Sequence, residues 1–278
     1  MMKIEKKHII TIIVAMISTT LTYAINYYLN LGPLNNYKSA GPVFAYGVVG
    51  IISALFFRTY AVTGLIGSFV GMSSLKVIPA IEYTLLFGFV CGVICILFAS
   101  HYVGFGGKAG TTAFLSVTTT TYLLVAGSVF GFNSSWSILD YFKNLAPVDP
   151  AFVVAAIIAG IAGTMATILL REKILQKTFK TNEVVLAPSL VGLIGAIIVP
   201  WIPPSAITAG LPIIIASGTF AGMASCTCLT NTSHFLLAGI LVGIINVTTA
   251  TVFMGFGGAL GFKALISIII VRYALRAF

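Results

Sequence analysis

Apolar residues run along this chain in continuous stretches, and the polar residues gather between them. Ten stretches approach the roughly 20 residues that span a bilayer: 8–29, 41–57, 60–75, 79–100, 111–132, 151–170, 184–202, 205–224, 233–253 and 259–275. Unbroken runs of this kind predict helices. Lipid-facing strands would alternate every second residue, and an open sheet cannot satisfy its backbone in lipid. The first stretch follows Lys3, Lys6 and Lys7. It is long enough to span and no small-residue cleavage site follows it, so it reads as a first helix and anchor, not a cleaved signal.

Composition turns a helical prediction into a membrane one. With 59% apolar residues, 8% charged residues and a mean hydropathy of +1.09, the chain has too little polar surface to cover a soluble globule. The expected fold class is an all-α integral membrane protein of about ten transmembrane helices, with the lipid bilayer as its first partner.

A duplication organises these helices. Gly67 to Ser74 returns as Gly218 to Ser225, and Gly104-Phe105-Gly106-Gly107 returns as Gly255-Phe256-Gly257-Gly258, both at a shift of 151 residues. Between 67–116 and 218–267 there are 18 identities in 50 positions, eight of them glycine. So biased a composition would give roughly four by chance, so a half-protein has been copied. The halves are 1–132 and 151–278, joined by 133–150. In membrane proteins such halves commonly enclose a transport pathway at their interface.

Basic residues orient the crossings. With the N-terminus cytoplasmic and ten single crossings, the cytoplasmic segments hold Lys3, Lys6, Lys7, Arg58, Lys108, Arg171, Lys173, Lys177, Lys180, Arg272 and Arg276, and the outer ones only Lys38, Lys76 and Lys143. That bias satisfies the positive-inside rule and predicts a multi-pass protein of the bacterial inner (plasma) membrane with both termini cytoplasmic. It also accounts for most of the net charge of +9, so nucleic acid is not an implied partner. Five crossings per half invert the second copy. Were 60–75 and 205–224 to re-enter on one side, the repeats would run parallel, and Lys108, Arg171, Lys173, Lys177 and Lys180 would fall outside, against the charge rule.

The connecting segments carry less. Residues 133–150 interleave Trp136, Tyr141 and Phe142 with Asp140 and Lys143, the pattern either of a short interfacial helix or of a plain loop. Residues 171–183 mix basic residues with Glu172 and Glu183 and read as a solvated linker without chemistry. Cys91 and Cys95 share a helix face as small packing residues, and Cys226 and Cys228 lack the second ligand pair that a metal would want. No metal or cofactor is implied, and no disulfide is expected.

Candidate pathway residues come from the repeat. Gly67 and Gly71, with Gly218 and Gly222, have the spacing of close helix contacts. The same segments also read as interrupted helices whose Ser68, Ser73, Ser74, Thr219 and Ser225 hydroxyls face a solute. The Gly-Phe-Gly-Gly motifs follow full-length spans, which argues against a potassium filter, and they read as hinged turns. Asn246 and the threonines of the fifth and ninth spans add polar groups that can equally bond back to their own helices. Ionisable residues are scarce in the spans. Lys263 lies a few residues into the last span, either snorkelling outward or meeting an anionic solute, and Lys108 sits beside the first glycine motif; the two do not align.

These features predict a transporter or channel for a small neutral or anionic solute, since hydroxyls and small residues without carboxylates suit a metal cation poorly. The alternative is a membrane-embedded subunit of a larger complex or a membrane enzyme, although His101, His234 and the cysteines form no catalytic constellation. Oligomeric state is open, a homo-oligomer included.

Overall fold

A computed structural model describes residues 5–30, 40–126, 149–179, 182–202 and 208–275. Among these residues there is no strand, and ten helices exceed one turn: α1 Lys6–Asn30, α2 Ala40–Phe56, α3 Ala61–Gly71, α4 Tyr83–Leu97, α5 Lys108–Ala126, α6 Pro150–Leu169, α7 Glu183–Ile198, α8 Leu211–Gly222, α9 Thr232–Thr248 and α10 Ala259–Ala274. The protein is all-helical. Helix α6 continues through a wider turn, Leu170–Leu175, to Thr178. Most of 133–150, and with it the interfacial helix weighed for that segment, lies outside the described residues. At its end the Asp149 carboxylate accepts the Ala151 N–H at 2.9 Å and Pro150 occupies the first helical position, so this cap fixes where α6 begins.

Length separates the helices into classes. Among the described residues three stretches, Lys6–Leu29, Pro150–Thr178 and Glu183–Trp201, are long and apolar enough to cross a membrane by length and composition. Helices α3 and α8, expected at 60–75 and 205–224, have only 11 and 12 residues. At 1.5 Å per residue each covers about 17 Å, little over half of a roughly 30 Å hydrocarbon core. Both stop at the repeated glycine motif, because the donors beyond it turn elsewhere. After α3, the Ser73 N–H bonds to the Val70 carbonyl at 3.1 Å, and the Ser74 N–H crosses to the Gly255 carbonyl at 2.9 Å.

Each half is assembled by the same contacts. In the first, Gly67 lies on Ala15 and Gly71 on Thr19 and Thr22, so α3 runs parallel to α1; Gly88 on Met16 and Gly92 on Ile12 set α4 antiparallel to it. In the second, Gly218 lies on Gly160, Gly222 on Thr164 and Thr167, Gly239 on Ile161 and Gly243 on Ile157. A Cβ on any of these glycines would run into neighbouring backbone or a Cβ. The Thr19 hydroxyl donates to the Gly67 carbonyl and the Thr164 hydroxyl to the Gly218 carbonyl, both at 3.0 Å. The first helices therefore correspond at a shift of 145 residues, Thr19 with Thr164, while the later helices keep 151.

Between the halves, α2 packs on α7 and α5 on α10. Both pairs are antiparallel: Gly50 meets Ser189 while Gly47 meets Leu193, and Gly110 lies on Gly261 while Gly107 reaches Leu265 and Gly258 reaches Phe114.

Candidate functional site

The two glycine-rich turns share one unusual conformation. Tyr102 and Phe253 have φ of 50° and 57°, and Gly104, Gly107, Gly255 and Gly258 lie between 81° and 86°. That left-handed geometry strains any residue with a side chain, which is why glycine stands at four of these six positions. The turns expected to act as hinges are bonded to the other half in this structure. The Gly255 carbonyl accepts the Ser74 N–H, and the Gly104 carbonyl accepts the Ser225 N–H at 2.8 Å. The Gly257 N–H also donates to Ser73 Oγ at 3.0 Å, whose own hydroxyl donates to the Val70 carbonyl at 2.7 Å. Each turn thus closes the end of the other half's short helix.

Where the short helices meet, aromatic rings fill the space. Phe69 and Phe220, equivalent residues of the two halves, stand 4.5 Å apart between centroids, with Tyr46 at 5.4 and 5.7 Å from them. All three are buried, and the Tyr46 hydroxyl donates to the Pro188 carbonyl at 3.4 Å. Ser68 and Thr219 flank the rings, but their hydroxyls bond back to the Leu65 and Ala216 carbonyls at 2.7 Å. Gly67, Ser68, Gly71, Ser73, Gly218, Thr219 and Gly222 therefore form a closed, packed centre, and Ser74 is half-buried beside it. Asn246 is also buried in packing. Its amide donates to Ser217 Oγ at 2.9 Å and to the Val242 carbonyl at 2.8 Å, and the Ser217 hydroxyl donates to the Leu260 carbonyl, joining α9, α8 and α10. On α5, Thr111, Thr112, Thr118 and Thr120 bond back one turn, as hydroxyls in apolar helices do.

The lysines disagree in sequence position and agree in task. Lys263 is only 8% exposed, and its Nζ donates to the Thr249 carbonyl at 2.9 Å, at the end of α9. The free carbonyls of a helix C-terminus attract a cation, which accounts for this placement. Lys108 Nζ donates to the Ala99 carbonyl at 2.7 Å, just past the end of α4.

One cavity, of about 570 Å³, opens at the end of α8. Its wall includes Lys108, Arg171, Glu172, Gln176, Glu183, Ser225 and Cys226. Four of these, Arg171 to Glu183, come from the segment expected to be a solvated linker without chemistry. The wider turn that prolongs α6 carries Arg171 under the α8 terminus, buried, where its Nη1 donates to the Gly222 and Ala224 carbonyls at 3.1 and 2.8 Å. Its Nη2 pairs with Glu172 Oε1 at 3.2 Å. The Cys226 thiol donates to the same carboxylate oxygen at 2.7 Å. That bond holds the thiol above its ordinary pKa, because ionisation would lose the donor and set a thiolate beside a carboxylate. Arg171 aligns with Asn26 at the 145-residue shift, a correspondence that unshifted repeats hide.

Of the sequence-derived candidates, then, Lys108 and Ser225 reach the cavity and the rest build the closed centre and its supports. Comparison with family models, curated proteins and solved structures finds no match.

Proposed function

We propose that this chain is a membrane transporter for a small neutral or anionic solute. In this reading it crosses the bacterial inner membrane as two inverted five-helix repeats, 1–132 and 151–278, with both termini cytoplasmic. The observation that carries the proposal is the antiparallel packing of equivalent helices. A two-fold axis running along a bundle leaves equivalent helices parallel, whereas one perpendicular to the bundle makes them antiparallel, as α2 is to α7 and α5 to α10. The reciprocal bonds of Ser74 with Gly255 and of Ser225 with Gly104 are what the same axis exchanges.

The short helices fit this reading. Discontinuous helices meeting near the midplane are the usual crossing point of inverted-repeat carriers. Here α3 and α8 meet at Phe69 and Phe220, which block the passage, while the cavity beside α8 opens to the side that charge assigns to the cytoplasm. The state described is then closed at the centre and open inward. Transport requires the rings to separate as one repeat moves against the other.

The test is flux into vesicles containing the purified protein alone, using a panel of labelled neutral, anionic and zwitterionic solutes. Saturable uptake of any of them is the expected result. Absence of flux across the panel, with the protein folded, rejects the transporter and favours a subunit of a larger complex, which copurifying chains would reveal.

A further inference from the structure

Among the described residues, two charged side chains of the cavity, Lys108 and Glu183, have no ion-pair partner. Among the described residues the ion pairs are Lys7 with Glu5 and Arg171 with Glu172. Arg171 and Glu172 therefore answer each other, and Arg171 is further occupied by the α8 carbonyls. Lys108 and Glu183 line the same cavity and form no pair with each other. Lys108 spends one of its three N–H donors on Ala99. Glu183 Oε2 is buried and has no hydrogen-bond partner.

The surroundings deepen this polarity. Glu183 begins α7, and its neighbour Val184 also lines the cavity. Residue 188, four further on, is proline, so the helix supplies no N–H at that position for the Val184 carbonyl. The α7 side of the cavity thus offers two acceptors, the Glu183 carboxylate and the Val184 carbonyl, at a helix start whose dipole keeps a carboxylate ionised. On the α5 side stand Lys108 and the positive end of that helix's dipole.

We infer that the cavity binds a small zwitterion, its ammonium group held by Glu183 and the Val184 carbonyl and its carboxylate by Lys108. The inference rests on the transporter reading only for its consequence, that such a solute is the one carried. A simple anion leaves Glu183 unanswered and is repelled by it, and a simple cation meets Lys108 in the same way. An uncharged solute leaves both charges without counter-charge, a costly arrangement away from bulk water.

Cys226 provides the measurement, because its exposed thiol lines the same cavity and the other three cysteines are buried or half-buried. Maleimide labelling of Cys226 in the purified protein is followed with glycine, L-alanine or L-leucine, and with the single-charge fragments propionate and isopropylamine. At least one amino acid is expected to slow labelling several-fold while neither fragment does. Glu183→Gln is expected to weaken that protection about ten-fold, and Glu183→Asp to restore part of it. Protection by propionate equal to that by the amino acids, in the native protein and in Glu183→Gln, overturns the inference, as does absence of protection by all three amino acids. If Glu183→Gln fails to fold, the contrast between amino acids and fragments in the native protein decides alone. Vesicle flux separates the two readings. Uptake of a non-zwitterion with no amino-acid protection sinks this inference and keeps the transporter, whereas amino-acid protection without flux does the reverse.

Discussion

The end of α3 and the end of α8 are held by the same backbone bonds and differ in almost every charge. Ser74 bonds to Gly255 on one side and Ser225 to Gly104 on the other, at 2.9 and 2.8 Å. Around that common frame, Arg171 stands where the first half has Asn26, Glu172 where it has Tyr27, and Cys226 where it has Leu75, while Lys108 corresponds to Ala259. The difference teaches which parts of a duplicated fold are free to diverge. Each of these two equivalent contacts draws one partner from each half, so both copies must keep the serine turn and the glycine turn for both bonds to form. Side chains at the two ends carry no such reciprocal demand. The ion pair of Arg171 with Glu172 and the charges that line a cavity are found at the α8 end, where that cavity opens.

The largest effects should come from the shared frame and should fall equally on both ends. Gly104→Val and Gly255→Val each force a β-branched residue into a left-handed conformation and push against a serine of the other half. About 3 kcal/mol of stability is expected to go in each case, from backbone strain and a lost cross-half bond together. Thermal unfolding in detergent measures it; one end tolerating the change while the other does not would break the equivalence. If the proposed transport holds, Gly71→Leu and Gly222→Leu should abolish it, since a side chain at either meets the backbone of Thr19 or Thr164. A folded and fully active variant would remove α3 and α8 from the proposed pathway.

Next come changes confined to the charged end. Arg171→Asn copies the first half's residue into the second and removes two bonds to the α8 terminus. A cost of about 2 kcal/mol is expected, with Glu172 left only the Cys226 thiol as partner. An unchanged melting temperature would mean that the guanidinium does not hold α8. Glu172→Gln is milder and reads out in chemistry. Because the carboxylate holds the Cys226 thiol above its ordinary pKa, its removal lowers that pKa and raises the thiolate fraction at neutral pH. Maleimide labelling should become several-fold faster at pH 7, and its rise with pH should move to lower pH. A superimposable profile would show the bond to be idle.

Much of this comparison was legible in the sequence, and the limits have physical causes. The shift of 151 residues was visible from Gly67 onward because glycines at backbone contacts have no substitute. It was hidden in the first two helices of each half, where the shift changes and only scattered identities such as Thr19 with Thr164 remain. Ser18 and Ser53 fill the space against Gly64, and in the second half Ile215 fills it against Gly163 and Gly195. Volume has moved from two helices to the third at this contact, so the residues that make it do not repeat. The cavity was missed for a related reason. Arg171, Glu172 and Glu183 look like a solvated linker until the wider turn at Leu170–Leu175 carries them beneath α8. The glycines and hydroxyls singled out by the repeat stand in the closed centre and its ties.

The smallest effect tests whether the lysines are interchangeable supports. Lys108 reaches the Ala99 carbonyl and Lys263 the Thr249 carbonyl, each closing the end of the preceding long helix from a different turn of the next one. If the role is to neutralise exposed carbonyls at a helix end, the exact anchoring position matters little. Lys263→Thr, which copies Thr112, should then cost about 1 kcal/mol, more than an exposed cap because Lys263 is only 8% exposed. Adding Ala259→Lys, which copies Lys108, should restore most of that loss, since the equivalent reach ends at the Ala250 carbonyl beside Thr249. Melting of the single and double variants measures the recovery. Recovery would place the asymmetry of this molecule in the cavity charges alone, whereas a double variant worse than the single would mean that the two helix ends have themselves diverged, and that the shared frame stops at the glycine turns.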